Sequence, residues 1–139
     1  MNADEGTGIV AEAVVRHTFS KEEHLCGKTS ISRLMSKGRW GGTAHLKYCF
    51  VRRPEGGCNR LMVSVPKKFF KRAVKRNLLK RRLRESYRLR KSLLKGCEVD
   101  MMLLYNCPEV LDSKVIATEV EEILIRISSH VRKLQEASE

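Results

Sequence analysis

The residues best placed to do chemistry are cations. Between Pro66 and Lys95 the chain carries fourteen of its 28 Lys and Arg residues and a single acid, Glu85. Acids and bases nearly cancel elsewhere, so the formal net charge of +12 belongs to this stretch. Charge concentrated in one segment of an otherwise neutral chain suits a polyanionic partner. Within the stretch Arg76, Lys80, Arg84 and Arg88 recur at i, i+4, with Asn77 and Arg81 beside them and Lys67, Lys68, Lys71 and Arg72 leading in. Like charges at that spacing cost an isolated helix a few tenths of a kcal/mol per pair. The pattern therefore answers to an anionic ligand rather than to helix stability.

Other chemistry is thinly supplied. Glu98 and Asp100 stand at i, i+2 and fall on one face of a strand. Paired carboxylates can hold Mg²⁺; the plainer reading is a strand entrance facing water. A two-metal nuclease needs a denser acidic cluster. His17, His24, His45 and His130 are scattered, and no Ser-His-Asp signature, Walker loop or HExxH is present. The five cysteines form no C-x-x-C pair and read as buried thiols of a reducing compartment. The N-terminus carries early acids instead of a secretory core. No run approaches the roughly 18 apolar residues of a membrane span. An acidic membrane surface would call for exposed aromatics beside the charge, and the one tryptophan, Trp40, lies elsewhere. These features predict a cytoplasmic binding module with no membrane partner.

The elements that must position the charge follow from periodicity. At 139 residues the chain is the size of one domain. Residues 1–16, broken by Gly6 and Gly8, read as a flexible extension, and 17–135 as a single domain. Ile31, Leu34 and Met35 mark a short helix capped by Thr29 or Ser30 and stopped by Gly38 in the left-handed conformation. Ala44 to Arg53 alternates as a strand, Pro54 to Gly57 is a turn, and Asn59 to Val65 is a second strand, antiparallel to the first as a hairpin. From about Arg72 to Leu94 the chain has helix formers and no Gly or Pro, about 35 Å of helix. Leu79, Leu83 and Leu94 flank the charged ladder on one side and Val74, Leu78 and Leu89 on the other; Lys75 and Arg82 intrude on the apolar arc. Gly96 ends the helix. Val99 to Tyr105 is a buried strand. A last helix from Asp112 or Ser113 to about Lys133 has Val115, Ile116, Val120, Ile123, Leu124 and Ile127 as its core stripe, with Glu119, Glu121 and Glu122 facing water. The order α-β-β-α-β-α describes an α+β sandwich on a mixed sheet.

A ladder of cations meets phosphates, which set affinity and salt dependence more than sequence readout. A DNA-reading helix sits more commonly in a helix-turn-helix. Strands on either side of this helix favour RNA recognised by shape and backbone. A ribosomal or other structural RNA-binding protein, and a DNA-binding protein, remain the alternatives at this level.

Three blocks narrow the choice: SVPKK from Ser64 to Lys68, AVKRN from Ala73 to Asn77, and KRRLRESYR from Lys80 to Arg88. Together they closely resemble the signature of the bacterial ribonuclease P protein subunit, where a strand ends in S-x-x-K-K and a helix opens A-V-x-R-N-R before K-R-x-x-R-E. Ile31, Leu34, Met35 and Gly38 before the blocks, and Gly96 and Asp100 after them, extend the likeness over roughly residues 17–130. The resemblance implies a two-layer α/β sandwich whose sheet is four-stranded, with a further short strand near Trp40, and a left-handed β-α-β crossover. It implies that a catalytic RNA, with bound Mg²⁺, removes the 5′ leader of precursor tRNA, that the protein itself binds no cofactor, and that one protein serves one RNA. It assigns Arg76, Asn77, Lys80, Arg81 and Arg84 to the catalytic RNA, Lys67 and Lys68 to the strand-end basic pair, and Ile31, Met35 and Tyr48 to a cleft for the leader. Lys71, Arg72 and Arg88 extend the expected RNA surface. The chain departs from the pattern at Leu78, where Arg is usual; at Ile31 and Met35, which replace aromatics and leave base stacking to Tyr48; and at Phe69 to Arg72, a link one residue longer than usual.

Overall fold

A computed structural model describes residues 21–53 and 56–138; the expected extension at 1–16 lies outside the described residues. After a 3-10 turn at Lys21–Glu23 come helix α1 (Lys28–Lys37), strands β1 (Arg39–Gly42), β2 (Leu46–Arg52) and β3 (Arg60–Ser64), and helix α2 (Ala73–Arg90). Next are a 3-10 turn at Lys91–Leu94, strand β4 (Val99–Tyr105) and helix α3 (Ser113–Ser138). The strands form one mixed sheet in the order β1-β2-β4-β3, antiparallel except for β3 beside β4. The short strand expected near Trp40 is β1.

The predicted hairpin between the second and third strands does not form. β4 lies between β2 and β3, pairing Leu46 to Arg52 on one side and Arg60 to Ser64 on the other. Its run VDMMLLY is almost wholly buried, and a strand apolar on both faces belongs in the middle of a sheet. The shorter β3, closed by Pro66, takes an edge. The hairpin is instead β1–β2, turning through Thr43 to His45.

Helices α2 and α3 cover one face of the sheet. Leu79, Leu83 and Tyr87 of α2 and Ile116, Val120, Ile123, Leu124, Ile127 and Val131 of α3 pack on Leu46, Tyr48, Phe50, Leu61, Val99, Met101, Leu103 and Tyr105. Helix α1 covers part of the other face, with Leu34 and Ile31 against Cys49 and Met102. Asp112 Oδ1 accepts from Val115 N at 3.0 Å and caps α3 as predicted. Two expectations for this helix fail. Val115 is exposed. Glu119 does not face water but is buried, accepting from Thr43 Oγ1 at 2.5 Å and His45 N at 2.9 Å, with His45 Nδ1 2.5 Å from its other oxygen. One carboxylate thus ties the β1–β2 turn to α3.

The caps of α1 also differ. The helix starts at Lys28 after Gly27, without a side-chain cap, so neither Thr29 nor Ser30 plays that part. Gly38 is extended, with φ −71° and ψ 155°. Its glycine serves close approach: a Cβ there would lie 2.3 Å from both Cys49 Sγ and Leu34 O.

Candidate nucleic-acid interface

Helix α2 buries Leu79, Leu83, Ser86 and Tyr87 on the sheet. Each i+4 step turns roughly 40° around a helix of 3.6 residues per turn. The ladder therefore winds from Arg76, beside the buried arc, outward through Lys80 and Arg84 to Arg88. Leu78, Arg82 and Leu89 lie on the opposite flank and, with Ser113, Lys114 and Ala117, line an open groove towards α3. Val74 and Leu89 are exposed, and Leu78, at the position where the signature has Arg, is on that groove and not on the ladder.

The cations divide into two groups. Some are spent on the fold. Arg76 Nη1 donates to the carbonyls of Phe70 and Lys71 at 2.8 and 2.7 Å, and Arg82 Nη1 to Leu111 O at 2.6 Å. Arg88 pairs with Glu85, whose carboxyl is held below its ordinary value mainly by that hydrogen bond. Arg90 lies 3.6 Å from Glu121, and Lys91 pairs with Glu23 at 2.8 Å. The side chains of Lys67, Lys71, Arg72, Lys75, Lys80, Arg81, Arg84 and Lys95 have no hydrogen bond or ion pair among the described residues. All but Lys95 cluster at the strand end, the link and the first two-thirds of α2. Arg72 caps α2 without a side-chain hydrogen bond, and the first turn holds no acid. The helix dipole and these cations add up there to one anion-attracting end. Asn77 is exposed among them and can donate to a phosphate or a base edge.

The link from Pro66 to Arg72 is anchored. Phe69 N and Phe70 N donate to Pro66 O, Phe70 is buried edge-on against Tyr105 at 5.7 Å, and Lys68 lies 4.9 Å over the Phe69 ring. With Arg76 holding Phe70 and Lys71 from the helix, the longer link has a fixed path.

The three residues expected to share a leader cleft are not brought together. Ile31 and Met35 are on α1, Ile31 half-buried against the sheet and Met35 exposed. Tyr48 points to the other face. It is buried in the main core beside Phe50, over Gly41, where a Cβ would lie 2.4 Å from its hydroxyl. Its neighbour Cys49 is the β2 residue beneath α1. Cys49 Sγ donates to Leu34 O at 3.4 Å, and burial pushes its thiol up to about 11, so it stays protonated and unreactive. Cys97 and Cys107 are buried as expected, whereas Cys26 and Cys58 are exposed.

Glu98 and Asp100 do not fit a metal, and Asp100 does not face water. Asp100 is 1% exposed; its two oxygens accept from Arg60 Nε and Nη2, both at 2.7 Å, and Arg53 Nε lies 3.1 Å away. Glu98, in the left-handed region at φ 57°, accepts from Gly57 N at 3.2 Å and shapes the turn before β3. Among the described residues no cluster of His, Cys, Asp and Glu has a metal-binding arrangement. Sequence reasoning missed Arg53 and Arg60 as partners of Asp100; the excess of cations over acids around an apolar strand was the available signal.

Fold and surface together define a nucleic-acid-binding α+β module with a cationic helix flank. The family model described as Ribonuclease P matches residues 19–128. The ribonuclease P protein component of Porphyromonas gingivalis is 31% identical over 121 residues, covering 81% of this chain and 88% of that one. The structure of the Staphylococcus aureus RNase P protein superposes with a TM-score of 0.65 at 24% identity, covering 73% of this chain and 92% of that one. The Thermotoga maritima RNase P protein gives 0.63 at 22%, covering 75% and 96%. These two establish the shared fold. The chain belongs to the ribonuclease P protein component family. Membership makes it the protein part of a ribonucleoprotein endoribonuclease of tRNA processing. No helix among the described residues is long and apolar enough to cross a membrane.

Proposed function

We propose that this protein binds the catalytic RNA of ribonuclease P through the outward flank of α2 and the end of β3, and steadies the precursor tRNA while that RNA removes the 5′ leader in the cytoplasm. The observation that carries the reading is the set of cations without side-chain partners that gathers at the strand end, in the link and on α2: Lys67, Lys71, Arg72, Lys75, Lys80, Arg81 and Arg84. Charges without protein partners are available to phosphate oxygens, and each one engaged releases counterions. Lys68, Arg76 and Arg88 border this surface; Arg76 supports it from beneath. The leader runs over the α1 face of the sheet, where Ile31 and Met35 sit. In this reading Mg²⁺ is held mainly by the RNA, which the pairing of Asp100 with Arg53 and Arg60 supports. One protein serves one RNA.

Reconstitution tests this. The protein is mixed with a bacterial ribonuclease P RNA and precursor tRNA at Mg²⁺ low enough that the RNA alone is slow. The expected result is a large gain in 5′ cleavage with added protein. Cleavage equal to that of RNA alone would overturn the reading.

A further inference from the structure

A second set of cations lies at the other end of the sheet from the link before α2. Arg52 closes β2, opposite Val99 at the start of β4, whereas the link packs Phe70 on Tyr105, at the end of β4. Six residue steps of strand, roughly 20 Å, separate the two ends. That exceeds the Debye length of about 10 Å at 0.1 M salt, so the two sets act as separate charges. Between the 3-10 turn at Lys91–Leu94 and α3 an open cavity of about 200 Å³ is lined by Ser92, Leu93, Ile125, Ser128, Ser129 and Arg132. Its α3 members fall at i, i+3, i+4 and i+7, one face of the helix.

Arg52 belongs to the same corner. Alternation along β2 puts it with Phe50 and Tyr48 on the face that α2 and α3 cover. Its backbone is fixed by Arg33, whose Nη2 donates to Arg52 O at 2.8 Å. Arg52 Nε is buried without a hydrogen-bond partner, and Arg132 has no hydrogen bond or ion pair among the described residues. Cys97 brings the two guanidiniums together. Burial raises its thiol; Ser128, Arg132 and Arg52 draw it back, and no carboxylate is among the groups that act on it. The acids next in sequence, Glu98 and Asp100, are committed to Gly57 and to Arg53 and Arg60. A buried guanidinium nitrogen without an acceptor is costly. Two guanidiniums and three hydroxyls with no acid make a donor set that a phosphate group satisfies: planar forks match its oxygens in pairs, and hydroxyls donate to the rest.

We infer that Arg52 and Arg132, with the hydroxyls of Ser92, Ser128 and Ser129, form a phosphate-binding site separate from the α2 flank. A backbone phosphate of an RNA and free inorganic phosphate present the same oxygens to it. At about 30 Å³ per water, the cavity has room for one tetrahedral group and several waters. The site stands on its own residues and does not depend on the proposed function. An RNA phosphate held here gives the protein a grip at both ends of its sheet.

Inorganic phosphate is the probe. The full-length ¹⁵N-labelled protein is titrated with it at an ionic strength held constant by KCl, and the amide shifts are followed. Saturable shifts at Arg52, Ser92, Ser128 and Ser129 are expected. Arg132→Gln should weaken that response about tenfold, and Arg52→Gln likewise, while Arg84→Ala leaves it intact. Circular dichroism checks that the variants fold; Arg132 is exposed, so its variant decides the matter even if Arg52→Gln does not fold. Filter binding of Arg132→Gln to a bacterial ribonuclease P RNA then names the source. A salt slope lower by about one unit assigns the site to an RNA phosphate. Unchanged RNA binding, with the phosphate response lost, assigns it to free phosphate. No saturable shift at these amides, or one equally strong in Arg132→Gln, overturns the inference and leaves the proposed function standing on its own reconstitution.

Discussion

Arg76 and Arg84 show how one motif letter covers two duties. Arg84 is exposed with no partner among the described residues, whereas Arg76 bridges two carbonyls of the link before α2. Arg84→Ala should therefore reduce the salt dependence of RNA binding by about one unit of slope without lowering the melting temperature. Arg76→Ala should weaken binding and also cost about 1–2 kcal/mol of stability, measured by urea denaturation, because two charge-assisted hydrogen bonds go. Arg76→Lys separates the effects: it keeps the charge, but an ammonium lacks the planar fork that reaches both carbonyls. A salt slope that is unaltered in Arg84→Ala would remove that residue from the interface.

The elements depend on two buried carboxylates whose partners are distant in sequence. Glu119 is drawn up by burial, but hydrogen bonds from Thr43 and His45 outweigh this and leave it below its ordinary value. A carboxyl depressed in the folded state stabilises above its unfolded value near 4.5, and that contribution disappears as pH falls through the folded value. Glu119→Gln should thus be less stable than wild type at neutral pH, and the gap in urea midpoint should close as the solution is acidified below about pH 4. Asp100→Ala is expected to be harsher, about 3–5 kcal/mol, since it strands two largely buried guanidiniums, and refolding yield should fall with it. These contacts also mark where sequence reading stops. Periodicity located α2 and the strand cores, and the blocks from Ser64 to Arg88 located the cationic surface, because both signals are local. The pairing of β4 between β2 and β3 is not local, and neither is Glu119 with Thr43 and His45, 76 and 74 residues away. Alternation separated Tyr48 from Cys49 but could not tell which of them α1 covers.

For the whole molecule, charge is the organising asymmetry. The net +12 belongs to the stretch from Pro66 to Lys95, whose cations without side-chain partners gather on the exposed flank of α2 and at the strand end, while the neighbouring helix, α3, holds an interior apolar stripe. Free in solution, that flank repels itself, and salt relieves the repulsion because its charges are close and exposed: the Debye length shrinks from about 10 Å at 0.1 M to about 3 Å at 1 M. Bound to RNA, the same charges are matched and salt competes with the phosphates. The free protein should therefore melt several degrees higher as KCl rises from about 0.05 to 0.5 M, while its affinity for the RNA drops by orders of magnitude over the same range. Calorimetry on the free protein and filter binding with the RNA measure the two arms. Neutralising Lys71, Lys80, Arg81 and Arg84 together should flatten both dependences at once. Loss of the binding slope with the melting trend intact would show that the repulsion arises among other cations, those already held by the fold.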